Sequence, residues 1–203
     1  MSDGVTPERA PQLGFVAGVA AIEALRALCP REAGFALKWP NDILLGRAKL
    51  GGVLLEGLAL SSGDERLPAA GVVVVGVGVN CVAAPQSVPY PATALATLGA
   101  QAPSVQAVFA ALSDSFCATL ELWAGGLGFA EIRRRWLDAA AGVGESVQVR
   151  LARGEEIEGR FETIDADGRM ILASDAGRRV IDAGDVILAH RSTLPPTGRD
   201  SHQ

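Results

Sequence analysis

The chain holds two lysines, Lys38 and Lys49, against 16 arginines. Both lie in the stretch Lys38 to Glu56, KWPNDILLGRAKLGGVLLE. A lysine ammonium is a compact point charge with three donors, suited to gripping carboxylate or phosphate oxygens. Drift within an arginine-rich composition is the plain alternative. Lys49 follows the turn Gly46-Arg47-Ala48, at a hairpin mouth where an ammonium can meet an incoming carboxylate. Lys38 is followed at short range by Asn41 and Asp42, and Pro40 and Asn41 are good turn formers in their own right. Asp42 could orient Asn41 or a Mg²⁺-bound water, or serve as an ordinary turn or N-cap acid. Gly51-Gly52 would let a flat ring approach backbone, or mark a bulge. Gly76 and Gly78 in VVVVGVGVN, residues 72–80, repeat that signal just before Asn80. No third glycine or helix start follows, so this is not a dinucleotide fingerprint.

Both histidines, His190 and His202, lie at or beyond the last expected element. A Ser-His-Asp or Cys-His site in the core is excluded, as is a histidine metal centre. Lysine, carboxylates, amides and backbone remain. That inventory suits adenylate formation, which needs charge stabilisation and alignment more than a proton shuttle. The net charge of −5 is spread evenly, −2 over residues 1–141 and −3 over 142–203, and the one basic run is Arg133-Arg134-Arg135. Binding to a nucleic-acid backbone is not expected. Cys29, Cys81 and Cys117 lack metal-ligand spacing and are odd in number, which points to reduced thiols in the cytoplasm. No apolar run nears the ~18 residues of a membrane span, and the first residues do not read as a signal peptide.

These residues need elements to position them. With 49% of 203 residues apolar, the chain can bury one full domain and a small second one. Residues 7–28 read as a helix, with Phe15, Val19, Ile22 and Leu25 at helical spacing and Pro30 as its stop. Strands follow at 35–39, 43–45 and 52–56, then a polar loop at 61–70 and a strand at 72–79. That strand is apolar except for its glycines, the pattern of burial on both faces. Ser104 caps a helix through Trp123 with Val105, Val108, Leu112, Phe116 and Leu120 on its apolar face, and Gly125-Gly126 end it. A shorter helix at 130–140 buries Ile132 and Trp136. From Gly142 the period shortens. Strands at 147–151, 157–164, 170–172, 179–181 and 186–188 are joined by turns at Arg153-Gly154, 165–168 and 175–177, which points to a small barrel. The fold class is α+β. Residues 1–141 form the first domain, 144–190 a separable barrel not needed to hold the first domain's pocket, and 191–203 a disordered tail.

Three segments in this order, KWPND (38–42), KLGG (49–52) and GVGVN (76–80), resemble the signature of the biotin–protein ligases. In that family KWPND opens a hairpin whose second strand carries K-x-x-G-I-L-x-E, and a strand ending G-x-G-x-N comes next. The resemblance implies an incomplete class II synthetase-like, biotin–lipoate ligase catalytic domain with an SH3-like β-barrel at the C-terminus. It also implies the reaction. ATP and biotin form biotinyl-5'-AMP and pyrophosphate, with Mg²⁺ as cofactor, and a lysine of a biotin carboxyl carrier protein then attacks the mixed anhydride. By resemblance Lys49 grips the biotin carboxylate and the developing acyl phosphate, with Lys38 as the second catalytic lysine. Gly52, Leu54, Gly76, Gly78 and Val79 join Lys49 around biotin. Lys38, Trp39, Asn41 and Asp42 lie at the nucleotide, and the Asn80 amide reads the adenine edge. No protein metal site is implied, and the motif pair is of the biotin rather than the lipoate type.

The chain also departs from that family. Its ligases carry an upstream loop of the form G-R-G-R-x-G-R that closes over biotin and the adenylate, and no such run occurs here. By this comparison about the first quarter to third of the catalytic domain is missing, as is the DNA-binding helix-turn-helix of regulatory members, through an internal start or in a short paralogue. The expectation is a chain nearly inactive alone and prone to self-association through an exposed sheet edge. A non-catalytic paralogue kept as a scaffold or binding remnant is the alternative.

Overall fold

Helix α1, Gln12–Leu28, is buried along 11 of its 17 residues, so it is covered on most sides rather than along one stripe. The computed structural model of this chain describes residues 5–60, 70–151, 154–175 and 177–188. Residues 61–69 of the polar loop expected at 61–70, the turn residues Arg153 and Ala176, and the tail from 189 with both histidines lie outside the described residues, and Ala70 already belongs to a strand. The helix starts later than its apolar pattern suggested. Residues 7–11 form a turn in which Arg9 and Ala10 both donate to the Thr6 carbonyl, and Pro11, which has no N–H, takes the N-cap position.

Four antiparallel strands follow: β1 (Phe35–Lys38), β2 (Asp42–Leu45), β3 (Ala48–Leu60) and β4 (Ala70–Val79), in that spatial order. One face of this sheet packs on α1. Val53 is buried there, and Leu55, Val73, Val75, Val77 and Val79 pack against the same core. The other face is open. Val72 and Val74 are 42% and 46% exposed, so β4 is not buried on both faces as its apolar run suggested. Among the described residues β4 is an edge strand with α1 on one side only. Gly51 is fixed by this pairing, because a Cβ there would sit 2.1 Å from the Gly78 carbonyl oxygen. Gly51→Ala is therefore expected to force β3 and β4 apart and cost about 1–3 kcal/mol, read as a lower denaturant midpoint.

Helix α2, Val105–Trp123, begins as expected, with Ser104 Oγ accepting from the Ala107 N–H at 3.2 Å. Its buried stripe is close to the expected one, with Leu112 and Phe116 packed against the core. Val108, Thr119 and Trp123 are buried, while Val105 and Leu120 are half-exposed. The Trp123 indole donates to Gln12 Oε1 at 2.8 Å and so sets which face meets α1. By length and composition residues 105–126 could cross a membrane, which the sequence did not lead us to expect. In this fold the helix lies along α1. Helix α3, Phe129–Asp138, buries Ile132 and Trp136, and Phe15 meets Phe129 and Trp136 edge-on.

Gly142 and Gly144, both at positive φ, lead into β5 (Ser146–Arg150), β6 (Glu156–Ile164), β7 (Met170–Ser174), β8 (Gly177–Ile181) and β9 (Asp185–Leu188). They form one antiparallel sheet in the order β8-β7-β6-β5-β9. The expected barrel is not closed, since β8 and β9 at the two edges do not pair. It is nonetheless curled. Residues 182–184 must carry the chain between those edges and can span only about 14 Å, whereas flat strands would stand about 19 Å apart.

The second sheet is not an appendage. The hydrophobic core runs continuously from α1 through Trp39 into Val147, Phe161 and Met170. Trp39 Nε1 donates to the Gly168 carbonyl at 3.0 Å, and Arg133 Nε donates to the Ile164 carbonyl at 2.7 Å.

Candidate functional site

The register of the first sheet explains how two distant lysines meet. Lys38 is opposite Asp42 in the β1–β2 ladder. Asp42 is opposite Gly52 across β2–β3, but the register shifts between Ile43 and Leu44, so Leu44 faces Lys49 and Leu50 is left over. Side chains alternate faces along a strand, and a bulge re-aims those beyond it. Leu50 goes into the core, and Lys49 comes to the same face as Asp42 and Gly52.

Asp42 is a buried carboxylate that receives both lysines of the chain. Its Oδ2 meets Lys38 Nζ at 2.9 Å, and its Oδ1 meets Lys49 Nζ. Lys38 also reaches Asp185 on β9 at 3.1 Å. Burial alone would lower the Lys38 pKa. The hydrogen bond and charge of Asp42, then those of Asp185, outweigh it and hold the pKa above the ordinary lysine value. A pKa raised on folding stabilises the fold below the ordinary value, and that contribution disappears as pH climbs through the raised one. Lys38 is therefore charged at neutral pH.

Two cavities open on this cluster. The first, about 770 Å³, lies between the sheets and is lined by Lys38, Arg47, Lys49 and Arg150, against Asp42 and Asp185 as its acids. Arg47 and Arg150 also pair with Glu145 and Glu156, at 3.0 and 2.9 Å, outside the lining, and their guanidinium groups face the cavity where a polyphosphate would exchange for those carboxylates. The second, about 710 Å³, lies on the open face of β3 and β4, over Gly52, Leu54, Gly76, Gly78 and Asn80. Asn41, Asp42, Lys49 and Tyr90 line both. Lys49 thus stands where an apolar platform meets a cationic chamber.

Most of the residues singled out from sequence lie on this one face, with exceptions. Trp39, expected at the nucleotide, is 1% exposed and turned into the core, where its N–H serves Gly168. Val79 lines the second cavity but pairs with Gly51, on the face that packs toward α1. Asn41 lines both cavities while its Nδ2 donates to the Val53 carbonyl at 2.7 Å. Asn80 donates from Nδ2 to the Thr93 carbonyl at 3.0 Å, pinning the loop that follows β4. The sequence reading missed Tyr90, Arg47, Arg150 and Asp185. Tyr90 carried a signal, as the single tyrosine of the chain set between two prolines. Asp185 carried none, being 147 residues from Lys38.

The biotin/lipoate A/B protein ligase family matches residues 2–138, and the biotin protein ligase C-terminal domain matches residues 142–189. This chain belongs to the biotin protein ligase family. A biotin–[acetyl-CoA-carboxylase] ligase of Paracoccus denitrificans is 39% identical over 181 residues, covering 87% of this chain and 72% of that protein. One of the same name from Mycobacterium tuberculosis is 36% identical over 182 residues, covering 86% of this chain and 61% of that protein. Both relatives are ligases by name. The fold is that of a solved biotin protein ligase from Aquifex aeolicus, with a TM-score of 0.73 at 22% identity over 90% of this chain and 77% of the other. The same ligase in complex with biotin and ATP gives 0.70 at 24% identity, over 88% and 71%. In the family's terms, the GVGVN and KLGG segments are the two strands of the open face, and KWPND is the β1–β2 connection that holds the lysine–aspartate cluster.

Proposed function

We propose that this chain activates biotin with ATP to biotinyl-5'-AMP and transfers the biotinyl group to a lysine of a biotin carboxyl carrier protein. The observation that carries this reading is the meeting of Lys38 and Lys49 on Asp42 at the divide between the two cavities. The fused rings of biotin would lie on the open face beside Leu54. Nothing in the fold requires glycine at 76 or 78, where a Cβ would make only ordinary contacts at 3.7 Å and 4.0 Å. Glycine at both positions is explained by an occupant that lies flat on the strands. The nucleotide phosphates would enter the cationic chamber near Lys38, Arg47 and Arg150. A biotin carboxylate oxygen then bonds to the α-phosphorus as the bond to pyrophosphate breaks, and Lys49 faces the charge developing there. In the second step the acceptor nitrogen bonds to the acyl carbon, AMP departs with the bridging oxygen, and the nitrogen's proton passes to solvent. Mg²⁺ would come with the nucleotide. Among the described residues no group of three or more His, Cys, Asp or Glu could hold a metal, and Asp42 is bracketed by two ammonium groups.

The test is pyrophosphate release with biotin and ATP, with hydroxylamine present to trap the activated biotin. Release that needs both substrates supports the reading, and biotin binding without release would favour a binding remnant. The absence of both binding and release would overturn it. The same assay measures whether a chain without a G-R-G-R-x-G-R run turns over slowly, as we expect. A second prediction concerns Asn80. Asn80→Ala is expected to weaken ATP binding by about tenfold and biotin binding less, because losing a half-buried amide leaves its partners unsatisfied at a cost of about 1.4 kcal/mol. Unchanged ATP affinity in calorimetry would remove Asn80 from the nucleotide site.

A further inference from the structure

We propose that Tyr90 is a positioning residue for Lys49, its ring holding the ammonium at the divide where a carboxylate substrate must arrive. This rests on the role given to Lys49 above. Tyr90 lines both cavities, and Lys49 Nζ stands 5.3 Å from the centre of its ring. At that separation an ammonium is attracted to the ring's negative face. The ammonium is thus held between the Asp42 carboxylate and an aromatic face, two partners of different kinds.

The backbone makes this pairing a built one. The Lys49 N–H donates to the Pro91 carbonyl at 2.8 Å, and the Thr93 N–H donates to the Lys49 carbonyl at 2.9 Å. Tyr90 and Lys49 are therefore carried on one hydrogen-bonded frame. Pro89 and Pro91 flank the tyrosine. Each proline fixes its own φ, and a residue before proline is restricted to extended backbone, so the loop has little freedom to swing the ring away. Asn80 anchors the same loop through Thr93. Without the ring, Asp42 is the remaining attractive partner on Lys49, and the ammonium would settle toward it and away from the open face. With the ring, one side of the ammonium is shielded from water and the side facing the cavities stays available to an incoming carboxylate.

The chain's two lysines make the positioning directly visible. Reductive methylation with ¹³C-formaldehyde labels Lys38, Lys49 and the chain terminus while keeping their charge. The Lys49 dimethyl resonance, assigned with a Lys38→Arg variant, is expected upfield of Lys38 because it lies over an aromatic face. Tyr90→Phe should keep that displacement and Tyr90→Leu should abolish it. In the ligation assay Tyr90→Leu should raise the KM for biotin about two- to fivefold, with Tyr90→Phe restoring most of the loss. A Lys49 resonance that sits at the same place in the natural protein and the leucine variant would overturn the proposal, whatever the activity. So would an unchanged biotin KM in a leucine variant whose resonance has moved. If biotin fails to shift the Lys49 resonance while its dependence on Tyr90 holds, the function proposed for Lys49 fails and the positioning stands.

Discussion

Lys49→Ala is expected to lower biotinyl-AMP formation by about 10²–10³-fold, the range seen when one donor facing a developing charge is removed. The site explains the size. Among the described residues Lys49 is the one cation that lines both cavities, and the other lysine, Lys38, is drawn between Asp42 and Asp185 on the far side of the carboxylate. Lys49→Arg should rescue poorly. A planar guanidinium is longer and forked, and it must fit between Asp42 and the Tyr90 ring in a space shaped for a point charge. Folding should survive the change, since Asp42 keeps Lys38 as its counter-ion and is not left as an unpaired buried charge. A folded alanine variant that forms biotinyl-AMP at close to the natural rate would remove Lys49 from the chemistry.

How far the sequence reached depended on range. Lys49, Gly52, Gly76 and Gly78 could be placed together because each sits in a motif whose hydrogen-bonded partner lies within the same run of antiparallel strands. The bulge at Leu50 that turns Lys49 toward Asp42 could not be read, because a bulge is a property of two strands and not of one. The two-sided burial expected for β4 failed for a physical reason. An unbroken apolar run is equally the mark of a strand with a neighbour on each face and of one whose second face is kept for a ligand. For α2 the period and most of the apolar face were legible, since Val108, Leu112 and Phe116 meet the core, but the burial of Trp123 was not, because it is held by Gln12, 111 residues away. The barrel remained half-legible. Turn chemistry marks where strands stop, but closure depends on whether two edge strands meet, and here β8 and β9 do not.

Trp39→Ala is expected to destabilise the protein by about 3–5 kcal/mol, the usual loss for emptying a buried tryptophan site. Its indole is fully enclosed and ties β1 to the turn before β7 through the Gly168 carbonyl. That turn is seated against Phe15 of α1, where Gly168, at a φ of 86°, leaves no room for a Cβ. One side chain therefore joins the helix, the first sheet and the second. Trp39→Phe separates the two contributions. It keeps most of the volume but leaves the Gly168 carbonyl without its donor, at about 1–3 kcal/mol. The denaturant midpoints of the two variants should fall in that order. ATP affinity should follow stability, since the wall of the first cavity is built from residues 184–188 as well as from Lys38 and Asp42, and loosening the two sheets moves Asp185 relative to Lys38. If Trp39 instead touched the nucleotide, as its place in KWPND suggested, the alanine variant would lose ATP binding while its midpoint stayed put. That result would return Trp39 to the site and would mean the two sheets are held together without it.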